Sequence, residues 1–269
     1  MRIRCDVHNH TLYSRHAYST IEENVRAAAE AGLELLGSAD HFSGMLWPKV
    51  DGQPDLRDYQ YFINYKAWPE TWHGVRLLHG VEADIVDLEG HLYGWDTTLE
   101  AVHEWGSYGP RNLQEQALEQ CDFVVASIHD QHVADGASLA QTTDMYVSAL
   151  DHPQVLILGH VGRAGVPFDV DTVLLAAKER HKLIEINEAS FAYPEVRPLC
   201  RDIAIRCAEL GVSISVASDA HISTRIGRFP HVEALLDEIG FPEELVACRS
   251  AEAFLDALHR AIPSHRLDN

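Results

Sequence analysis

The amino-acid sequence predicts an α/β protein whose parallel β-strands form a closed or nearly closed barrel. Seven short runs rich in valine, isoleucine and leucine alternate with segments that carry helical signals. Apolar runs of this kind are typical of parallel strands that are covered on both faces. A strand–helix alternation of this length can close into a barrel, and 269 residues is a normal length for one.

Histidine and carboxylate side chains stand at the ends of nearly all of these runs. In chain order the runs read RIRCDVHNH, LELLGSADH, VRLLHGVE, FVVASIH, VLILGH, LIEIN and VSISVASDAH. The carboxyl ends of parallel strands meet at one end of a barrel, so these scattered side chains are predicted to converge there. An open doubly wound sheet would collect its ligands near one switch point in the strand order, and it explains the distribution less well.

Helical segments lie between the strands. Thr20 and Glu23 form a predicted capping box, and the helix after them is predicted to end at Gly32. The sequence predicts further helices at Leu139–Leu150, Val170–His181, Pro194–Leu210, around Leu235 and Leu236, and at Ala251–Ala261.

One long stretch, Asp87–Asn112, shows no regular pattern and is rich in glycine and aromatic residues. Two interpretations are equally open: a lid inserted above the functional site, or a surface segment that packs on itself. No low-complexity segment or linker divides the chain, so the sequence predicts one domain over residues 1–269.

Composition narrows the class of protein. The formal charge is −20 and the pI is about 5.1, a balance that repels duplex nucleic acid and anionic membranes. No apolar run approaches the roughly 20 residues that span a bilayer, and the first residues do not resemble a signal peptide. The five cysteines form no CxxC pair, which favours reduced thiols. We therefore expect a cytoplasmic protein, and a homo-oligomer remains as open as a monomer.

Two pairs of metal-competent side chains stand two residues apart: His8 with His10, and Asp219 with His221. Residues at this spacing on a strand point to the same side, so both members of a pair can bind one ion. Other predicted strands end in His41, Glu82, His129 and His160. Burial of unpaired imidazoles and carboxylates is costly, and metal coordination removes that cost. A donor set without thiolate suits zinc, manganese or ferrous iron.

The succession HNH, HAYST, DH, GVE, IH, GH, EIN and SDAH resembles the PHP (polymerase and histidinol phosphatase) family. The likeness extends over nearly the whole chain and is greatest to the compact, stand-alone bacterial phosphatase branch. It implies a distorted seven-stranded (β/α)7, TIM-like barrel with a trinuclear metal site. Three divalent ions are the implied cofactors, with zinc first and manganese or iron as alternatives.

The same resemblance assigns ligands to the three ions. The first site would comprise His8, His10, Glu82 and Asp219; the second Glu82, His129 and His160, with Glu82 bridging; and the third His16, His41 and His221. His16 precedes the capped helix instead of ending a strand, so only the resemblance identifies it.

The expected activity is hydrolysis of phosphate esters, most specifically of phosphomonoesters on a small metabolite, with a metal-bridging hydroxide as nucleophile. Asp40 is expected to orient a ligand or a water; the alternative, which makes it the catalytic candidate, is that it donates a proton to the leaving group. Arg163 and Arg225 are candidates to bind the phosphate; the alternative for each is a solvated charge in a loop. Glu185 and Asn187 could hydrogen-bond ligands or substrate, or belong to a polar layer at the barrel mouth.

Other activities fit the sequence less well. A phosphodiesterase or exonuclease on short oligonucleotides or nucleotide bisphosphates is the alternative, because the acidic balance argues against a groove for extended nucleic acid. A regulator without catalysis would not need complete ligand sets. An amidohydrolase would have a metal-bridging lysine at a strand end, and no predicted strand ends in lysine.

Overall fold

The fold alternates strands and helices along residues 1–44, 60–63, 67–103 and 106–263, which the computed structural model describes. The strands are β1 (Cys5–Asp6), β2 (Leu35–Phe42), β3 (Thr71–Trp72), β4 (Val75–Asp84), β5 (Thr98–His103), β6 (Gly106–Asn112), β7 (Phe123–Ser127), β8 (Val155–Leu158), β9 (Leu183–Asn187) and β10 (Ile214–Ala217). The α-helices are α1 (Ile21–Ala31), α2 (Gln60–Ile63), α3 (Leu113–Leu118), α4 (Leu139–Leu150), α5 (Val170–Glu179), α6 (Arg197–Leu210), α7 (Pro230–Ile239) and α8 (Ala251–Ala261).

Strands β1, β2, β4, β7, β8, β9 and β10 lie side by side in that order, and each pair of neighbours is parallel. The first and last strands meet just beyond their ends, where Asn9 and Ala220 form an isolated parallel bridge. At the same place the N–H of Asp219 donates to the carbonyl of His8 at 2.8 Å. The strands therefore form a nearly closed barrel of seven strands, which confirms the predicted fold class.

The pairing of β2 with β4 brings two of the predicted ligands together. The register runs from Leu35 opposite Arg76 to Phe42 opposite Ala83, and it places His41 opposite Glu82. Parallel pairing in register therefore sets both side chains at the same height in the barrel.

An aromatic ring fills the interior below these ligands. Phe123 has no exposed surface, and a Cβ atom added to Gly80 would lie 2.6 Å from its Cζ atom. A Cβ atom on Gly37 would lie 2.9 Å from the same atom. The ring thus requires glycine at position 37 on β2 and at position 80 on β4. Gly80 lies two residues before Glu82 on the same strand.

The helix predictions hold with two adjustments of boundary. Both hydrogen bonds of the Thr20–Glu23 capping box are present, and Gly32 ends α1 in the left-handed conformation. Helices α4 and α8 match their predicted ranges, and Leu235 and Leu236 lie in α7. Helix α5 ends before His181, which adopts a φ of 58° that a helix cannot continue. Helix α6 begins at Arg197 instead of Pro194, because Pro198 occupies its first turn.

The prediction of an irregular stretch at Asp87–Asn112 is wrong in its second half. Strands β5 and β6 pair there as an antiparallel hairpin with a register shift between Leu99 and Ala101. The residues between the strands are outside the described ranges. The hairpin agrees with the interpretation of a segment that packs on itself. The alternative, a lid above the site, stays a prediction. Among the described residues, no helix combines the length and apolar character needed to span a membrane.

Candidate metal centre

All nine predicted ligands lie at the carboxyl end of the barrel, and each contacts at least one other. They are His8, His10 and His16 after β1, His41 on β2, Glu82 on β4, His129 after β7, His160 after β8, and Asp219 and His221 after β10. The innermost members, His8, His10 and Glu82, have no exposed surface, whereas His16 is exposed. The structure thus brings the predicted set together, and the binding of metal by it remains a prediction.

Glu82 stands at the centre of the group. Its Oε1 atom lies 2.9 Å from Nε2 of His160, 3.2 Å from Nε2 of His8 and 3.3 Å from Nε2 of His129. Its Oε2 atom lies 2.6 Å from Nδ1 of His41 and 3.7 Å from Nε2 of His10. One buried carboxylate therefore faces five imidazoles from four different strand ends.

Asp219 forms a second anionic point beside Glu82. Its Oδ1 atom lies 3.0 Å from Nε2 of His10 and 3.9 Å from Nε2 of His8. The backbone of Asp219 adopts a φ of 52°, and that of His160 a φ of 29°. Left-handed conformations are costly for residues with a side chain, and they are often found at functional sites.

The outermost group consists of three histidines. The Nε2 atom of His16 lies 2.9 Å from Nε2 of His221 and 3.3 Å from Nε2 of His41. His16 reaches this place because Arg15, which follows a short 3-10 helix at Leu12–Ser14, has a φ of 62° and turns the chain. Three imidazole nitrogens within this range can bind one divalent cation.

Unpaired buried atoms support a fit to metal. The Nε2 atom of His8, the Nδ1 atom of His41 and the Oε2 atom of Glu82 are buried and make no hydrogen bond of acceptable geometry among the described residues, although the last two atoms lie only 2.6 Å apart. Such atoms are rare in native proteins and call for an explanation. Donor atoms of three overlapping groups lie within 4.8 Å of one another: His8, His10, Glu82; His10, His41, His221; and His41, Glu82, His129. These groups share members with the predicted sets but do not coincide with them.

Electrostatics keep most of these groups in the protonation state that metal binding requires. Burial and the charge of His41 lower the pKa of His10 well below its ordinary value, which favours the neutral imidazole. Burial works against ionisation of Glu82, yet the charges of His8, His129 and His41 hold its pKa well below the ordinary value. Burial likewise lowers the pKa of His160, with Arg163 adding to the effect.

His129 behaves differently from these histidines. Burial lowers its pKa, but the charge of Glu82 and a hydrogen bond from the His129 ring to Asp84 overcome burial and raise the pKa of His129 to about 10. A cation bound to His129 would have to displace this proton, so binding of metal there should release protons.

Two residues around the ligands escaped sequence analysis. The Oδ1 atom of Asp84 lies 2.6 Å from Nδ1 of His129. The other ring nitrogen of His129, Nε2, faces Glu82. Asp84 also accepts a hydrogen bond from Ser43. The signal was present, because Asp84 follows Glu82 by two residues on the same strand and so lies on the same side. The other residue, Ser14, gave no signal in a loop without periodicity.

Ser14 connects Asp40 to two ligands. Its hydroxyl donates to Asp40 at 2.6 Å and lies 3.1 Å from Nδ1 of His10, while the N–H of His41 donates to it at 3.1 Å. The Asp40 carboxylate also accepts from the N–H and the hydroxyl of Thr11. Since Asp40 is buried and already accepts three hydrogen bonds, its geometry favours orientation of ligands over proton donation.

The two arginines predicted to bind phosphate differ in their surroundings. Arg163 lies within the group, where its Nη2 atom pairs with Oδ2 of Asp219 at 2.6 Å. Arg225 is exposed at the end of a short 3-10 helix at Ser223–Arg225. The structure therefore brings Arg163 to the ligands, and it shows no contact between Arg225 and a ligand in the described part of the chain.

Comparisons with known proteins agree with this geometry. A family model described as the PHP domain matches residues 6–193. A Clostridium botulinum protein named probable phosphatase is 36% identical over 259 residues, 96% of this chain and 95% of its own. A Caldanaerobacter subterraneus protein of the same description is 38% identical over 254 residues, 94% of this chain and 89% of its own.

Solved structures extend the comparison to the fold. Histidinol phosphate phosphatase from Lactococcus lactis, complexed with zinc, L-histidinol and phosphate, matches with a TM-score of 0.59 at 19% identity. The match covers 93% of this chain and 98% of that one. At this level of identity the likeness establishes a shared fold.

Proposed function

This chain belongs to the PHP domain family, and from that premise we propose that it is a metal-dependent hydrolase of phosphate esters. The finer proposal is a phosphomonoesterase that acts on a small phosphorylated metabolite. Relatives that are 36% and 38% identical over more than nine-tenths of this chain are named probable phosphatases, which supports this class of reaction.

The observation that carries the proposal is the environment of Glu82. A carboxylate without exposed surface faces five imidazoles, and one of its oxygens has no hydrogen bond among the described residues. If Glu82 only formed a structural ion pair, one imidazole would be enough. If it only filled the core, an uncharged side chain would be expected. A cluster of divalent ions explains both the number of imidazoles and the unpaired oxygen.

Three divalent ions are proposed, with zinc first and manganese or iron as alternatives. His8, His10, Glu82 and Asp219 would hold the first; Glu82, His129 and His160 the second; and His16, His41 and His221 the third. When bound, such ions acidify water to supply a hydroxide nucleophile and neutralise charge on phosphoryl oxygens.

The protein's own residues orient these groups and the substrate. Arg163 pairs with Asp219 and still has about a fifth of its side chain exposed (22%), so part of the guanidinium can reach a phosphate at the cluster. Asp84 and Ser14 hydrogen-bond the rings of His129 and His10, and Asp40 accepts a hydrogen bond from the Ser14 hydroxyl. Arg225 is proposed as a second, outer contact for the substrate.

The test is hydrolysis of p-nitrophenyl phosphate and bis-p-nitrophenyl phosphate before and after removal of metal. The proposal predicts that a chelator abolishes turnover of the monoester and that zinc or manganese restores it. Glu82→Gln should remove activity, whereas Glu188→Gln, the same change at a carboxylate that contacts His231 and no predicted ligand, should not. Preference for the diester would favour the phosphodiesterase alternative, and metal-independent turnover would contradict the proposal.

A further inference from the structure

Strand β9 differs from the other barrel strands because its end carries none of the predicted ligands. It ends instead in Glu185 and Asn187, both buried, with exposed fractions of 3% and 2%. Its neighbours in the barrel are β8, which leads to His160, and β10, which leads to Asp219. A buried carboxylate in this place needs hydrogen-bond partners, and they identify what it does.

Each oxygen of Glu185 contacts a different predicted ligand. The Oε1 atom lies 2.8 Å from Nδ1 of His8. The Oε2 atom accepts a hydrogen bond from the backbone N–H of His160 at 2.7 Å, and a further one from Nδ2 of Asn187 at 3.2 Å. One carboxylate therefore contacts two residues that belong to different proposed metal sites.

The contact with His8 decides which ring nitrogen can bind a metal. An ionised carboxylate accepts hydrogen bonds and cannot donate them, so Nδ1 of His8 carries the proton. The Nε2 atom is then the ring nitrogen available to a metal; it lies 3.2 Å from Glu82 and makes no hydrogen bond among the described residues. Partners of this kind fix the tautomer and orientation of metal-binding histidines in general.

The contact with His160 fixes a backbone conformation. His160 has a φ of 29°, which residues with a side chain adopt rarely. Its N–H points at Glu185, and its ring points at Glu82, with Nε2 2.9 Å from Oε1. The hydrogen bond to Glu185 thus holds the strained turn that aims the imidazole into the cluster.

We propose that Glu185 is a positioning residue that aligns the first and second metal sites together, through the ring of His8 and the backbone of His160. The inference rests on the proposed metal-dependent function. It assigns Glu185 to the support of ligands, and not to contact with substrate. Asn187 assists by donating to the same oxygen that holds His160.

Glu185→Gln tests this role because an amide has one accepting oxygen where the carboxylate has two. If the amide oxygen accepts from Nδ1 of His8, the amide NH2 group faces the backbone N–H of His160, and two donors meet. If the amide is turned the other way, its NH2 group faces the N–H of the His8 ring, and that hydrogen bond is lost instead. The chain supplies a matched control in Glu188. This carboxylate also lies near a histidine ring, 2.6 Å from Nδ1 of His231, and accepts from the N–H of Val232 at 3.0 Å, but it touches no predicted ligand.

Two readouts are required, neither of which is activity. Competition with a chelating indicator measures zinc affinity, and we expect Glu185→Gln to weaken it about 10- to 100-fold, with Glu188→Gln unchanged. Nitrogen NMR of zinc-loaded wild type should show His8 protonated at Nδ1, a result that does not depend on any variant being folded.

The outcomes separate the inference from the proposed function. A wild-type chain that takes up no zinc contradicts the proposed function. Zinc uptake by the wild type with equal affinity in Glu185→Gln overturns the inference alone, and so does a His8 ring protonated at Nε2 in the zinc-loaded wild type. A shift of KM without loss of zinc would assign Glu185 to the substrate and likewise overturn it.

Discussion

Gly80→Ala should destabilise the barrel directly beneath the proposed cluster. The added Cβ atom would lie 2.6 Å from Cζ of Phe123 and 2.9 Å from the carbonyl oxygen of Ser38. Real Cβ contacts are longer than both, so ring and backbone must move apart. Overpacking of a filled core costs typically about 1–3 kcal/mol. We expect the upper half of that range, because one of the two contacts is with backbone that cannot change rotamer.

The same substitution should affect the cluster, because Gly80 and Glu82 share strand β4. The carbonyl contacted belongs to Ser38 on β2, three residues before His41. Separation of β2 from β4 would displace two predicted ligands relative to each other. Zinc affinity should therefore fall along with stability.

Urea unfolding of four chains measures the effect: wild type, Gly80→Ala, Phe123→Leu and the double variant. The smaller leucine side chain relieves the clash with the ring, so the double variant should be more stable than the sum of the single effects predicts. Coupling of about 0.5–3 kcal/mol is usual for residues in contact. The contact with Ser38 remains, and the rescue should be partial.

Gly240→Ala is the control for this cycle. No heavy atom lies within 4 Å of its added Cβ atom, but its φ is +61°. Gly240→Ala should lower the free energy of unfolding by about 1–2 kcal/mol through its backbone conformation alone. It should show no coupling to Phe123→Leu. Additive effects of Gly80→Ala and Phe123→Leu would refute the packing argument.

Three further predictions concern metal, ligand support and pH. Removal of metal with a chelator should lower the melting temperature, since each site filled at 1,000 times its dissociation constant contributes about 4 kcal/mol; an unchanged melting curve would contradict this. Ser14→Ala should weaken zinc binding about tenfold or more by releasing Nδ1 of His10, measured by indicator competition; equal affinity would contradict it. Burial, then the charge of Lys182, lowers the pKa of His152 to about 4. Its contribution to stability is thus present above the unfolded pKa of about 6.5 and is lost as the pH falls towards 4. Wild type should lose more stability than His152→Gln between pH 7.5 and 5 in urea unfolding, and parallel losses would count against this assignment.

The fold and the composition of the site could be predicted because both are repeated features of the sequence. Apolar runs at regular intervals indicate parallel strands, and a parallel barrel brings their carboxyl ends together whatever the details of packing. For this reason His8, Glu82 and Asp219 could be expected to meet although 211 positions separate the first from the last. The chain position of His16, by contrast, follows no such rule and was identified by resemblance alone.

The sequence marked Glu185, Asn187 and Asp40 as residues that could support ligands, but it could not predict their partners, because these depend on which strands are neighbours and on individual rotamers. Glu185 reaches both His8 and His160 across the barrel, a relation that no spacing along the chain encodes. Asp40 precedes His41 and was a candidate for catalysis, but the loop at Thr11–Ser14 folds over its carboxylate. The hairpin of β5 and β6 was missed because its sequence has no clear alternation of apolar and polar residues.

Glu82 and the histidines around it are proposed to hold a cluster of three metal ions. The decisive measurement is the metal content per chain, determined by mass spectrometry on protein purified without chelator. We predict close to three divalent ions per chain in the wild type. Glu82→Gln should lose at least the two ions that Glu82 would bridge, and Glu188→Gln should retain the wild-type content. One ion or none in the wild type, after incubation with zinc or manganese, would contradict the account.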